Sequence, residues 1–462
     1  MAMNHNIPWE LIFLTLSEYC DRLRGKRIAV LGYGISNRPL VRLLLDHGID
    51  VTVRDRRECE PEGVRVVCGT DYLADLTEDV IFRSPGIMPH VPELAAAVSR
   101  GAVLTSEMEA FFEVCPCTII AVTGSDGKTT TTTLIGEMLK AEGKTVHVGG
   151  NIGTPLLDRA DTMKPDDIAV LELSSFQLIT MRCSPHIAVV TNIGPNHLDI
   201  HKSLIEYIDA KRNIFLHQNS DNRLVVNLDS EASRAFVQEA KCDVFPFSAR
   251  EKPERGVYLQ GNAIICADGR GEDAVLDIRD ILIPGVHNIE NYMAAIAATR
   301  GLVSAQSVGK VAREFGGVEH RIELVRTLDG VRYYNSSIDS SPARTIAALR
   351  AFNQKVILIA GGKDKGVPFD SLGAPIRERV KVLVLTGRTA VPIKHSVESS
   401  PDYDGQPEIT VAESFEDAVL KARAVAQSGD IVLLSPASTS FDRFSNFEER
   451  GNTFKEIVNG LA

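Results

Sequence analysis

The chain has 462 residues, enough for about three domains at ~150 residues each. Lys and Arg number 50 against 61 Asp and Glu, a formal charge of −11, which lacks the basic footprint needed to bind nucleic acid. Hydrophobic residues at 44% and charged residues at 24% exclude a disordered or fibrous chain and fit a globular protein.

At the N-terminal end, Leu11-Ile12-Phe13-Leu14 is a short apolar stretch between Glu10 and Glu18. It has no basic region before it, so it does not read as a signal peptide. No apolar run reaches the ~18 residues of a membrane span. The eight cysteines are scattered except for Cys115-Pro-Cys117, with no zinc-type CxxC pair. Reduced thiols in the cytoplasm are the expectation.

The first predicted strand, Arg27–Leu31, runs into Gly32-Tyr33-Gly34-Ile35-Ser36-Asn37, a helix-like stretch around Pro39–His47 and a second strand, Asp50–Asp55. This is a βαβ unit. Glycines at such a turn let the backbone approach a diphosphate, and the helix N-terminus offers unpaired N–H groups. Asp55 ends the second strand about where a ribose-binding acid belongs. Asn37 stands where the dinucleotide fingerprint has its third glycine. Two readings stay open on these residues, a dinucleotide-type site and a tight βα turn without ligand.

The second predicted strand–turn–helix is more specific. Strand Thr118–Val122 leads into Gly124-Ser125-Asp126-Gly127-Lys128-Thr129-Thr130 and a helix from about Thr129 to Lys140. The N–H groups of such a loop cradle phosphates, Lys128 neutralises the β- and γ-phosphates, and the Thr129 hydroxyl is a Mg²⁺ ligand. Val122 replaces the first glycine of the longer phosphate-loop motif, so the loop is a shorter version. ATP binding is the reading. Asn151, in Gly149-Gly150-Asn151-Ile152-Gly153, reads as a phosphate contact or as a turn residue. Glu172 closes the strand Ile168–Leu171 as a hard-oxygen Mg²⁺ ligand or a solvated strand-end acid. His197 lies just past the strand Ile187–Thr191, in a structural or a catalytic place. Lys211 reads, on spacing alone, as a helix-face lysine.

Further on, Leu224–Asn227, Val356–Ala360, Val380–Leu385 and Ile431–Leu434 read as buried strands. Their alternation with helices predicts parallel α/β sheets. Cys242–Ile283 reads as a small antiparallel insertion and Ser396–Gln406 as a surface loop. Boundaries near residues 104 and 318 give segments 1–104, 105–318 and 319–462. The middle one holds 20 basic and 28 acidic side chains, most of the acidic excess.

Taken together, Thr123–Thr130, Gly149–Gly153, Glu172-Leu173-Ser174-Ser175-Phe176-Gln177-Leu178, Asn196-His197-Leu198-Asp199, His287-Asn288 with Asn291, and His320-Arg321 resemble the Mur ligases in order and spacing. The C-terminal Ser435–Asp442 and Asn446–Gly451 resemble the branch that joins D-glutamate to UDP-N-acetylmuramoyl-L-alanine. The resemblance implies three α/β domains, each with a mainly parallel sheet: a Rossmann-like UDP-sugar domain (1–104), a P-loop ATPase-like domain (105–318) and a Rossmann-like amino-acid domain (319–462). It turns the first glycine turn into a site for uridine diphosphate, with Ile35, Ser36, Asp55, Arg56, Ser84, Pro85, Gly86 and Ile87 at the contact positions. The implied reaction is ATP-driven amide synthesis in peptidoglycan precursor formation, in the cytoplasm and by a monomer. Catalytic roles fall on Lys128, Asn151, His197 and Lys211, and two Mg²⁺ ions on Thr129, Glu172, His197 and Lys211, the last as a carbamate. Asn288, Asn291 and Arg321 fall at nucleotide contacts, and Lys365, Ser440 and Phe447 at D-glutamate. The chain departs from the family pattern Asn-Asp-Ser-Lys-Ala-Thr-Asn at Asn335–Ser341, where Ser336 replaces the Asp and Ile338 the Lys. Asp339 and Arg344 are the expected partial substitutes.

Overall fold

The computed structural model describes residues 14–197, 200–269, 271–401 and 403–462. Most of the N-terminal apolar stretch (Leu11–Phe13), and Leu198 and Asp199 of the histidine motif, lie outside the described residues. The chain divides into two compact units, Met1–Asp277 with Glu290–Val311, and Ile278–Ile289 with Ala312–Ala462.

In the first unit, β1 (Ile28–Leu31), β2 (Val51–Asp55), β3 (Arg65–Cys68), β4 (Val80–Arg83) and β5 (Val103–Thr105) form a parallel sheet in the order β3-β2-β1-β4-β5. All four residues of β1 are buried, as expected of a strand covered on both faces. The helix Asn37–Asp46 turns Leu40, Val41, Leu43 and Leu44 inward, the spacing of one helix face. The chain leaves β1 toward β2 on one side and returns to β4 on the other. The carboxyl ends of β1 and β4 therefore flank a topological switch point, where α/β sheets open a crevice.

A second parallel sheet contains β6 (Thr118–Thr123), β7 (Val146–Gly150), β8 (Ile168–Glu172), β9 (Ile187–Val190), β10 (Arg223–Val226) and β11 (Asp243–Val244), in the order β11-β10-β9-β6-β8-β7. Strand β6 lies between β8 and β9, so the ends of these three strands converge. Both sheets share one apolar core that includes Leu44, Phe111, Leu171 and Phe215. The insertion is a sheet of β12 (Phe247–Ser248), β13 (Gly256–Gln260), β14 (Ala263–Ala267) and β15 (Glu272–Asp277). Its expected antiparallel character holds for β13–β14–β15. It fails at the start of the segment, where β12 pairs parallel to β13 and β11 joins the large sheet.

The second unit is built on β16 (Glu323–Leu328), β17 (Val331–Asn335), β18 (Val356–Ala360), β19 (Val380–Leu385), β20 (Glu408–Val411) and β21 (Ile431–Leu434), in the order β16-β17-β21-β18-β19-β20. Only the β16–β17 hairpin is antiparallel. Apolar clusters cover both faces of this sheet. The predicted loop Ser396–Gln406 begins later than its composition indicates, because the helix Ala390–Glu398 carries its first three residues. Among the described residues no helix is long and apolar enough to cross a membrane.

Candidate active site

The tightest construction in the first unit is the loop between β6 and the helix Lys128–Ala141. Gly124 and Gly127 adopt φ of 155° and 78°, conformations that favour glycine. A Cβ on Gly124 would stand 1.9 Å from Thr191 Oγ1, and one on Gly127 would stand 2.3 Å from Asn291 Oδ1. Neighbouring strand ends hold the loop. Ser125 N donates to Asn192 O (2.9 Å), Asp126 N to Asn192 Oδ1 (2.9 Å), and Thr191 Oγ1 to Asp126 O (2.6 Å). Ser125 Oγ donates to Gly194 O and meets Tyr207 Oη, each at 2.9 Å. The loop is thus fixed by polar residues at the end of β9, just after β6 in space and far from it in sequence.

Lys128 Nζ donates to Gly124 O and Ser125 O, both at 3.0 Å, so the ammonium sits over the loop. Thr130 follows it on the same helix turn, half-buried. Thr129 Oγ1 donates to Glu172 Oε2 (2.7 Å), and Asn151 Nδ2 donates to Glu172 Oε1 (2.8 Å). Asn151 N also donates to Glu172 O (2.7 Å). Glu172 is buried, held at both oxygens by neutral donors, and its charge bears on Lys211. The reading as a solvated strand-end acid is excluded.

Lys211 corrects its reading as a helix-face lysine. It is 1% exposed on the inner side of the helix Leu204–Arg212. Its Nζ donates to Gly124 O (2.7 Å) and Thr123 Oγ1 (3.3 Å) and lies 4.7 Å from the Tyr207 ring centre. Burial, and then Lys128, push its pKa well below the ordinary 10.5, against Glu172 and Asp126. A buried amine so placed is poised toward the neutral form.

His197 is exposed and takes a left-handed φ of 53°. Its ring meets Phe176 edge-on at 5.1 Å, and its carbonyl accepts from His201 N at 3.0 Å. His201 stacks on Phe176 at 5.1 Å and shares a hydrogen bond with Ser175 Oγ at 2.9 Å. Among the described residues no group of three or more His, Cys, Asp and Glu gathers to hold a metal ion. A hydroxyl beside a buried carboxylate is nevertheless the donor set of a Mg²⁺ that takes its other ligands from phosphate oxygens and water. Thr129 and Glu172 fit that ion.

At the switch point of the first sheet, Asn37 replaces glycine for a visible reason. Its buried amide donates to Leu31 O (3.1 Å) and Gly32 O (2.9 Å) and closes the turn from inside. Asp55 is buried and accepts from Tyr33 N (2.7 Å) and Arg57 N (2.8 Å), so its carboxylate shapes the turn. Ile35 is 79% exposed, and Arg56 and Gly86 are exposed, with Ser36, Ser84, Pro85 and Ile87 half-buried. Gly32 packs against Ser84 so closely that a Cβ would lie 2.9 Å from the serine Cβ. The two predicted contact segments are thus brought together.

Asn291 is brought to the glycine loop, against Gly127 and accepting from Thr131 Oγ1 at 3.2 Å. In the second unit, Asn288 Nδ2 donates to Pro284 O (2.6 Å). The central strands β17, β21 and β18 end side by side there, and the loops that follow them converge. Lys363 pairs with Thr439 across two of these loops, and Lys365 Nζ donates to Ser340 Oγ across a third pairing, at 3.3 Å. Ser440 is buried and Lys365 exposed. Phe447 opens the helix Phe447–Gly460, which Asn446 caps by accepting from Glu449 N (2.7 Å). The Phe447 carbonyl accepts from Ser337 Oγ (2.7 Å), and its ring meets His320 edge-on at 6.0 Å. Arg321 is exposed beside the strained His320, at φ 62°. Gly451 makes room for that histidine, since a Cβ there would stand 2.2 Å from His320 Nδ1.

The departure at Asn335–Ser341 has a local account. Ser336 is fully buried and its Oγ accepts from Ile322 N at 3.2 Å. Asp339 is buried three residues on, where Ser435 Oγ donates to it at 2.8 Å. Burial raises its pKa, against Ser336, Ser435, Arg344 and Arg321. The carboxylate missing from position 336 is therefore present nearby, bonded to the serine that replaced it. Arg344 donates to Ile338 O at 3.1 Å. Sequence reasoning missed Thr191, Asn192, Tyr207 and Arg450. The last is 2% exposed and donates to Ser337 O, Ser337 Oγ and Ser438 O. Polar residues directly after a buried strand were the only local signal for the first two.

Comparison with known proteins matches residues 122–299 to the Mur ligase middle domain and 320–438 to the Mur ligase glutamate ligase domain. A protein of Ruminiclostridium cellulolyticum described as UDP-N-acetylmuramoylalanine–D-glutamate ligase is 50% identical over 460 residues, covering 96% of this chain and 99% of that one. One of Acetivibrio thermocellus with the same description is 49% identical over the same shares. Among solved structures, the UDP-N-acetylmuramate-alanine ligase of Thermotoga maritima has the same fold, with a TM-score of 0.56 at 18% identity over 94% of this chain and 99% of that one.

Proposed function

The chain belongs to the Mur ligase family, and on that premise we propose that it joins D-glutamate to UDP-N-acetylmuramoyl-L-alanine with ATP. The observation that carries the reading is the cluster Lys128, Thr129, Asn151, Glu172 and Lys211 around one glycine loop. Such a cluster answers the main obstacle to the reaction, the repulsion between an attacking carboxylate and a triphosphate. The alanine carboxylate oxygen bonds to the γ-phosphorus as the bond to the β,γ-bridging oxygen breaks, giving an acyl phosphate and ADP. The D-glutamate amine then bonds to the acyl carbon and loses a proton, and inorganic phosphate leaves with the C–O bonding pair.

The loop N–H groups bind the phosphates, and Gly124, Ser125, Asp126, Gly127, Thr130 and Asn291 shape the cradle. Lys128 places a cation beside the phosphates. Mg²⁺, when bound, supplies further charge neutralisation; Thr129 and Glu172 would hold one ion, and His197 with carbamylated Lys211 a second. Asn151 keeps the Glu172 carboxylate oriented. The turns at Ile35, Ser36, Asp55, Arg56 and Ser84–Ile87 take the uridine diphosphate. Asn288 and Arg321 contact nucleotide, and Lys365, Ser440 and Phe447 take D-glutamate. Asp339 and Arg344 take over part of the role of the residues replaced by Ser336 and Ile338. The three-domain division at about residues 104 and 318, a cytoplasmic location and a monomeric state complete the reading.

Phosphate release in the presence of Mg-ATP and UDP-N-acetylmuramoyl-L-alanine tests it. Release is expected to require D-glutamate. Release that ignores its omission rejects the ligation, and preference for another amino acid reassigns the third substrate.

A further inference from the structure

Arg83 is buried to 1% exposure at the end of β4, yet it is not part of any motif. Its guanidinium spends its donors in two directions. Nη1 donates to Ser84 O (3.3 Å), Pro85 O (3.2 Å) and Ile87 O (2.7 Å), three carbonyls of the turn proposed to take uridine diphosphate. Nη2 donates to Phe176 O (2.7 Å) and Thr180 Oγ1 (3.2 Å), in and just after the helix Ser175–Leu178 that follows Glu172. The Nε is buried without a partner. Burying a guanidinium costs free energy that neutral carbonyls offset only in part. The one carboxyl that bears on it is Glu109, acting through charge. A core position needing only volume would be filled by an apolar side chain at less cost.

We propose that Arg83 is a positioning residue that sets the distance between the nucleotide-sugar turn and the phosphate-transfer cluster. The inference rests on the ligase reading for its kinetic consequence but not for its structural one. The link continues from Phe176, whose ring contacts both His197 and His201 at 5.1 Å, and from Ser174, which caps the helix directly after Leu173 and Glu172. A long substrate held by its diphosphate end has its reacting carboxylate placed by this spacing. A misplacement of about 1 Å at a reacting centre costs roughly 100-fold in rate.

Two variants separate the directions. Arg83→Met removes both sets of donors at similar volume, and Thr180→Val removes one Nη2 link while leaving the turn carbonyls satisfied. Expected for Thr180→Val is a loss of roughly 10-fold in kcat, the worth of one charged hydrogen bond, with KM for ATP unchanged. Arg83→Met is expected to lose about 100-fold. A raised KM for the nucleotide sugar at unchanged kcat in Thr180→Val would overturn the proposal, as would unchanged kinetics in both folded variants. Hydrogen exchange with UDP as the sole ligand gives a readout independent of D-glutamate addition. UDP is expected to slow amide exchange at residues 175–180 in the wild type, less in Thr180→Val and not in Arg83→Met. Slowing confined to the residues of the first sheet would overturn the link even if ligation proceeds.

Discussion

Glu107 opens the helix Glu107–Val114 with its carboxyl buried, 5% exposed and with no partner at Oε1. Burial raises its pKa from 4.5 to about 7, opposed by a hydrogen bond from the Leu157 backbone and reinforced by Asp158. The folded chain therefore binds more protons than the unfolded one between the two values. Stability from this group is complete at low pH, falls as pH rises through the window, and is flat above it. At 1.36 kcal/mol per pKa unit the loss comes to about 3 kcal/mol. For a unit of about 300 residues that is roughly 5 °C in Tm. Glu109, raised to about 7 by burial against Ser106, Arg182 and Arg83, adds a slope of the same sign. Glu107→Gln keeps the shape and removes the titration. Thermal melts at about pH 5 and pH 8 should show the variant close to wild type at the lower value and more stable at the higher. Parallel curves for the two proteins across that range would refute the reasoning.

Gly127→Ala forces an L-residue to φ 78° and sets its Cβ against Asn291 Oδ1. Mg-ATP affinity measured calorimetrically should fall by at least ~10-fold, with a smaller fall in Tm. Lys365→Ala removes an exposed cation from beside Ser340. KM for D-glutamate should rise about 10-fold or more while KM for ATP stays constant, read from steady-state phosphate release.

The α/β character and most strands were legible because strands covered on both faces are continuous apolar runs, as at Val356–Ala360 and Ile431–Leu434. The glycine loop after β6 was legible because its glycines, lysine and threonine lie close together in sequence. Lys211 was legible only through family resemblance. Nothing in the spacing of Tyr207-Ile208-Asp209-Ala210-Lys211 marks which face of that helix turns toward Gly124. Arg83 and Arg450 carried no local signal either, because their partners are carbonyls, and a carbonyl is present at every position. The insertion was misread at its start because Asp243–Val244 is a two-residue strand, too short to carry a period.

Position 451 sets helix propensity against the fold. Within the helix Phe447–Gly460, alanine is what local preference would choose, by about 1 kcal/mol over glycine. The added methyl would meet His320 Nδ1 and, at 3.0 Å, Asn335 Nδ2, displacing a hydrogen-bonded pair that ties the residues before β16 to the end of β17. Engineering that stabilises helices by replacing interior glycines would therefore disturb the packing of His320 against Phe447. The absence of a side chain at Gly451 is as much a part of the His320–Asn335 contact as the two side chains that make it.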